Sequence, residues 1–472
     1  MTDKLNNPYS GAMTPLEKFL GIFAVVRARE GVTSLLLVAN IFLILMAYYF
    51  IKPVREGWLA VSVIAGLSKL EVKAYSAFGQ SLLLLAILPF YAKMASLLPR
   101  RRLITNTALV CSLLLLLFWL LRPGLLAAQI PYAGVAFYMF VGIFSVTLVA
   151  QFWSFASDLY GQEMGKRLFP LVAIGASAGA VVGSWAGEHL IRLSWLDAFD
   201  LIPLAIVPLF FAVMLARYID RRGSRDAGSA DADNRSREAA APQGHGAFRT
   251  ILETPYLMTT AAMILLFNWI VASGDNILFG IVQEALTAQY GQVTDPAALS
   301  SAINTATTSF YSGLYFWINL VGLFLQAFIV SRLVQLGGFS LLVLTTPLIS
   351  LVAYFSMAIA PVIGIIKVMK IAENSSNYSI NNTARHMLWL PTTKSMMYQA
   401  KAAIDTLFVR IGDGLAALTV LVGTRVWTFS MNNFLVVNIV LSIMWIGIAL
   451  VIAREFRKWS RYGLTGGLPA ET

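Results

Sequence analysis

The chain has a single cysteine, Cys111, inside the apolar run "LITNTALVCSLLLLLFWLL", so no disulfide framework exists. Its three histidines, His189, His245 and His386, are scattered and fit no metal-ligand spacing. A Ser/His/Asp arrangement, a Walker-type loop and a paired-cysteine metal site are all missing. Neither an enzyme nor a bound cofactor or metal is expected. Charge is scarce too, at 12% of the residues, and acids number 24 against 35 lysines and arginines. A net charge of +11 would suit nucleic acid, but most of the bases sit in short loops between apolar runs. That is how membrane topology is written, and no nucleic-acid partner is expected.

What the chain does have is apolar surface: 58% of its 472 residues are hydrophobic. A bilayer supplies an apolar solvent for that surface, at about 20 residues per crossing. Twelve spans follow, at 34–56, 73–95, 103–122, 131–159, 167–191, 199–217, 255–283, 306–331, 338–360, 362–386, 402–425 and 431–453. The fold class expected is an all-α membrane protein of two six-helix halves. Ahead of the first span, Thr14 and Glu17 have capping-box spacing around Pro15, which marks a short amphipathic helix on the cytoplasmic face. The start "MTDKLNNPYSGAMTP" is polar, and no cleavable signal peptide is expected there. Basic residues cluster after the even-numbered spans, from Arg100–Arg102 through Lys166 and Arg167 to Arg454, Arg457, Lys458 and Arg461, which puts both termini in the cytoplasm. The stretch "RRGSRDAGSADADNRSREAAAPQGHG" is polar and rich in small residues, and reads as a flexible linker. The organisation expected is an N-terminal segment 1–33, a first half 34–217, a linker 218–250, a second half 251–453 and a tail 454–472.

A charge at the centre of a membrane helix costs about 2.5–3.5 kcal/mol on insertion scales, so such residues usually line a cavity. In "YYFIKPVREGWLAVS", Lys52, Arg55 and Glu56 share one helix face, either to handle an anion or to snorkel at the membrane edge. On span ten, Lys370, Asn374, Asn377, Asn381 and Arg385 follow at steps of four, three, four and four as one polar stripe. Glu373 lies one turn from Lys370, close enough to pair with it. Interhelical glue is the plainer reading, but glue needs one or two such residues and no lysine. On span four, Gln151, Ser154 and Asp158 share a face; Asp158 either couples to substrate or ion, or ends the helix in water. Asp275 on span seven sits in mid-run as an ion or proton site, as partner to a buried base from span one or ten, or as a packing hydrogen bond. Lys401 with Asp405, and Arg410 with Asp413, have the spacing of in-helix pairs. Gly175, Gly179, Gly183 and Gly187 at steps of four predict close helix packing.

The stretch "FWSFASDLYGQEMGKRLFPLVAIGASAGAVVGS" resembles the bacterial and plastid ATP:ADP antiporter family. Ser157 and Asp158 stand at its small-polar and acidic positions, and Lys166, Arg167, Leu168 and Phe169 at its loop. Lys52, Arg55 and Glu56 resemble the charged pattern of the family's first span. "ARHMLWLPTT" and "KAAIDTLFVRIGDG" resemble two later elements through Arg385, Pro391, Thr392, Lys401 and Asp405. Near the family's span-seven glutamate stands Val271, with Asp275 one turn on. The resemblance spans about residues 34–453 and implies a major-facilitator-related architecture, with ATP/ADP exchange in many members. It also implies functional roles for the first-span base, the acid ending span four and a lysine after span ten.

The expectation is therefore a monomeric inner-membrane transporter that moves an anionic metabolite, a nucleotide such as ATP or ADP or another phosphorylated or carboxylated compound, by alternating access. Lys52, Arg55, Lys370, Asn374, Asn377, Asn381 and Arg385 would bind substrate, and Glu56, Asp158, Asp275 and Asp405 would pair with those bases or carry a proton. The rivals are a proton-coupled facilitator for another small molecule and a non-transporting membrane scaffold.

Overall fold

The computed structural model describes residues 13–21, 25–27, 30–97, 100–127, 130–193, 195–226, 251–392 and 400–465. Most of the linker expected at 218–250, the ends of the chain and Lys394 lie outside them. Every regular element described is helical. The helices are α1 (Pro15–Leu20), α2 (Gly31–Val61), α3 (Lys69–Leu97), α4 (Arg100–Ala127), α5 (Ala133–Ile191), α6 (Leu201–Asp226), α7 (Pro255–Tyr290), α8 (Pro296–Phe324), α9 (Val330–Ile359), α10 (Ile363–Ser376), α11 (Asn382–Met387), α12 (Val409–Arg425) and α13 (Met431–Thr465). π turns occupy Leu325–Ile329, Asn377–Asn381 and Ile404–Phe408. Among the described residues, ten helical stretches are long and apolar enough to cross a membrane.

The chain forms two compact units. The first holds Met1–Ser62, Leu84–Asp233 and Ser300–Asn319; the second holds Val63–Leu83, Asn234–Leu299 and Leu320–Thr472. Each draws one short stretch from the other half of the sequence.

In the first unit, α1 opens with the reciprocal cap: the Thr14 N–H donates to Glu17 Oε2 at 2.7 Å, and the Glu17 N–H donates to Thr14 Oγ1 at 3.3 Å. The glycine face of α5 lies against α2. A Cβ on Gly175 would stand 2.7 Å from the Val38 carbonyl oxygen and one on Gly183 2.8 Å from that of Met46, while one on Gly179 would collide with Phe42. Val38, Phe42 and Met46 are themselves four apart, so two helical faces meet backbone to backbone. At the end of α2, Trp58 packs among Phe118, Phe137 and Phe199, with ring centroids 5.0–5.9 Å apart.

Three expectations about span ends are corrected. The loop expected between spans four and five is helical throughout α5, with Pro170 inside it. Glu163, Met164 and Arg167 are good helix formers there, and Gly161 and Gly165 alone do not break the turn. Spans eight and nine are parted only by the π turn and by a kink at Gly338, whose φ of +57° favours glycine. The first helix runs to Val61, so Lys52, Arg55 and Glu56 lie within it and not at its end.

Candidate functional site

Each unit carries its own buried charge cluster. In the first, Lys52 and Arg55 are 7% and 9% exposed and Glu56 is fully buried, so these heads sit inside the protein and do not snorkel. Lys52 Nζ rests 3.9 Å from the Tyr315 ring centroid, 4.9 Å from that of Tyr49 and 5.6 Å from that of Tyr48. The Arg55 guanidinium lies 4.5 Å over Tyr138, and its Nε donates to Glu56 Oε1 at 3.1 Å. Aromatic faces attract a cation without neutralising it. The tyrosines are held in turn: Tyr49 donates to Asn319 Oδ1 at 3.1 Å, and Asn319 Nδ2 donates to the Tyr315 carbonyl at 2.7 Å. Pro53 leaves the carbonyl four residues back without its helical donor. Gly57 faces Asn304 and Thr308 of α8 so closely that no side chain fits between them.

In the second unit, Lys370 of α10 is 1% exposed and Glu373 fully buried. Lys370 Nζ donates to Glu373 Oε2 at 2.5 Å and lies 3.4 Å from Asp275 Oδ1 of α7. Tyr354 of α9 donates its hydroxyl to Glu373 Oε1 at 2.6 Å. Gly274 makes room, since a Cβ there would stand 2.9 Å from Lys370 Nζ and collide with the Tyr354 hydroxyl. Asn438 of α13 donates to the Ile270 carbonyl at 3.4 Å. Asn374, Asn377 and Asn381 are buried beside this cluster on the same helical path. Both amide atoms of Asn377, Nδ2 of Asn381, Oγ of Ser273 and Oδ1 of Asn438 have no hydrogen-bond partner. Such orphaned groups inside a membrane helix bundle are costly and are kept where something polar enters.

The remaining predicted residues lie apart from these clusters. Asp405 pairs with Arg385 Nη2 at 3.1 Å and not with Lys401, which lies 5.7 Å from the Trp389 ring. Asp405 stands inside the π turn Ile404–Phe408, where α-helical spacing no longer tells which side chains face each other. Arg410 does pair with Asp413, at 3.1 Å, and both bond Ser81 of α3. Arg425 holds Glu71 at 2.6 Å. On α5, Gln151 is buried and donates to Thr107 at 2.7 Å, whereas Ser154 and Asp158 are exposed. The shared face therefore divides between a buried Gln151 and an exposed Asp158 two turns on. Arg167, placed in a loop by the sequence, grips Glu30 through two bonds of 2.8 and 3.1 Å.

A cleft in the first unit, lined by Ile44, Ala108, Phe152 and Leu209 among others, is apolar apart from Asn40 and Gln151 and has no charge for an anion. Among the described residues, no group of three or more His, Cys, Asp and Glu could hold a metal ion.

The tyrosines at 49, 138, 315 and 354, with Asn319, were missed by sequence reasoning, because an aromatic within an apolar run carries no mark of what it faces. Tyr49 alone had a signal, standing one turn before Lys52.

Long apolar helices and buried charge clusters mark a membrane-protein class, and solved transporters share the fold. A bacterial homologue of the human lysosomal transporter Spinster, inward-facing and occupied, aligns over 95% of this chain and 99% of its own, with a TM-score of 0.55 and 13% identity. The nucleoside transporter NupG, in a mutant form, aligns over 90% and 99%, with a TM-score of 0.53 and 13% identity. A profile of the TLC ATP/ADP transporter family matches residues 82–456, and the chain belongs to that family. ADP,ATP carrier protein 1 of Chlamydia pneumoniae is 22% identical over 340 residues, 63% of this chain and 62% of that relative. ADP,ATP carrier protein 3 of Rickettsia typhi is 19% identical over 360 residues, 68% of this chain and 70% of that relative. The chain spans about three fifths of the length of the Chlamydia relatives it matches.

Proposed function

We propose that the chain is an antiporter that exchanges anionic nucleotides across a bacterial inner membrane by alternating access. The observation that carries this reading is Lys52 and Arg55, buried in an apolar helix and cushioned on tyrosine faces. Two bases on one helix face can hold a phosphate group together. Family membership and the relatives' names as ADP,ATP carriers support the choice of nucleotide. Glu56 balances Arg55 while no substrate is bound.

Twelve crossings fit this reading. The stretch Pro296–Ile359, at 64 residues, is long enough for two, and α10 with α11 supplies another that is too polar to stand out by hydropathy. The two halves would be 34–217 and 251–453, with both termini cytoplasmic by the bias of the basic loops and the protein working as a monomer.

The test is counter-flow. Purified protein in liposomes preloaded with unlabelled ADP takes up labelled ATP only when internal nucleotide is present, and Arg55→Ala lowers that uptake at least about tenfold, the factor that goes with 1.4 kcal/mol of lost binding. No nucleotide uptake by wild-type protein with a verified fold overturns the reading.

A further inference from the structure

The first unit borrows Ser300–Asn319, most of α8, from the other half of the chain. Asn304, Thr308, Ser312, Tyr315 and Asn319 follow at steps of four, four, three and four, so they form one helix face. That face runs antiparallel to α2. Asn304 and Thr308 close on Gly57, Tyr315 covers Lys52 at 3.9 Å, and Asn319 Oδ1 accepts from Tyr49 at 3.1 Å. On α5, a Cβ at Gly187 would stand 3.6 Å from Ser312 Oγ, and one at Gly313 would stand 3.1 Å from Glu188 Oε2. Three buried polar atoms in this region have no hydrogen-bond partner: Asn304 Nδ2, Ser312 Oγ and, one turn before Gly187, Ser184 Oγ. Each costs free energy while the segment is docked and gains a partner once water reaches it. Among the described residues, the apolar core of this unit runs from Leu20 to Ile219 and includes none of the segment. The segment is held closely, through glycines and polar atoms, and held at a cost. The second unit borrows Val63–Leu83 of α3 in the same manner, through Glu71 on Arg425 at 2.6 Å and Ser81 on Asp413. On the twelve-crossing reading α3 and α8 are the second crossings of their halves, so the same piece is lent twice.

We infer that Ser300–Asn319 is a removable strap over the Lys52–Arg55 site, lifted and redocked in each transport cycle. The inference rests on the transport reading above and names the element that closes that site. Docked, the strap lays Tyr315 on Lys52 and ties down Tyr49, so the base is covered from the α8 side. Lifted, it takes Tyr315 and Asn319 with it, and an anion reaches Lys52 and Arg55 along the face that α8 leaves. The glycines set how closely the strap returns: Gly57 admits Asn304 and Thr308, and Gly313 admits Glu188. The π turn Leu325–Ile329 follows directly on α8 and supplies slack for a bend at the strap's far end. Alternating access needs such an element, because a site reached from both sides at once would leak.

Two measurements on the full chain test the inference. Cys111 is the only cysteine and is buried, so a Cys111→Ser chain gives a clean background. Into it go Gly187→Cys and Ser312→Cys, close enough in the docked strap for a disulfide, whose Cβ atoms stand about 3.5–4.5 Å apart. In liposomes, closing that bond with a mild oxidant should stop uptake of labelled ATP against internal ADP, and a reductant should restore it. Exchange at the Cys111→Ser rate by protein whose two thiols are shown to be consumed overturns the strap. The second measurement needs no nucleotide. In purified protein the thiol of Ser312→Cys should react with a charged, water-soluble thiol reagent faster than Cys111 does in the unaltered chain. The factor expected is at least about tenfold, which goes with 1.4 kcal/mol of easier exposure. A thiol as inert as Cys111 overturns the strap too. Fast labelling in a protein whose unaltered form moves no nucleotide keeps the strap and discards the nucleotide. Should the double variant fail to fold, labelling of the single Ser312→Cys chain decides.

Discussion

The two units solve one problem, a buried lysine, in opposite ways. In the first, Lys52 lies on three tyrosine faces, which attract its charge. In the second, Lys370 sits between two carboxylates, which cancel its charge and overshoot. The backbone follows the same divide: among the described residues all three π turns lie in the second unit, one of them directly after the stretch Glu373, Asn374, Ser375, Ser376. The lesson is that a base inside a membrane helix does not announce its role. Its neighbours decide it.

The comparison breaks most readily at Lys370. Lys370→Met leaves Glu373 buried without its counter-ion and should cost about 3–5 kcal/mol, seen as a large fall in thermal midpoint in detergent. The double variant Lys370→Met with Glu373→Gln should recover most of it; a single variant that melts like wild type would end the contrast. Next comes Gly274→Ala, which drives a methyl into Tyr354 and Lys370 and should destabilise by about 1–3 kcal/mol. Gly447→Ala on an open face of α13 should instead be neutral or slightly stabilising in the same melt. A smaller effect belongs to the first unit. Tyr315→Leu removes the nearest π face from Lys52 and should cost about 0.5–2 kcal/mol and raise the KM for exchange, while Tyr315→Phe keeps the face and should match wild type in both. The smallest is Asp405→Asn. Its pair with Arg385 is about one-third exposed, and the change should cost about 1 kcal/mol or less, within a few degrees of melting.

Much of this was legible in the sequence wherever one helix decides the outcome. The glycine steps on α5 foretold a face that admits another backbone, and Thr14 with Glu17 foretold the cap. The spacing of Lys370 and Glu373 foretold a bond of one turn. Contacts between helices were less legible. Asp405 was matched with Lys401 because only in-helix spacing can be counted, while its partner Arg385 comes from another element and a π turn re-phases the path. Gln151 and Asp158 have the spacing of one face, but burial is set by the neighbouring helix: Gln151 meets Thr107 of α4 and Asp158 is exposed. Tyr315 and Asn319 join α2 from more than 260 residues away, and nothing in a hydropathy run sets them apart.

The π turn at Asn377–Asn381 has a mechanical meaning. A wide turn is one residue of slack in a helix, and each residue of an α-helix carries about 100° of rotation. Everything after Asn381 is therefore dialled round relative to Lys370 and Glu373. Take out that residue and Arg385 would swing off Asp405 to another side of the bundle while the acid–base cluster upstream kept its aim. The two ends of this one path are indexed separately, and the turn between them is the notch that sets their offset.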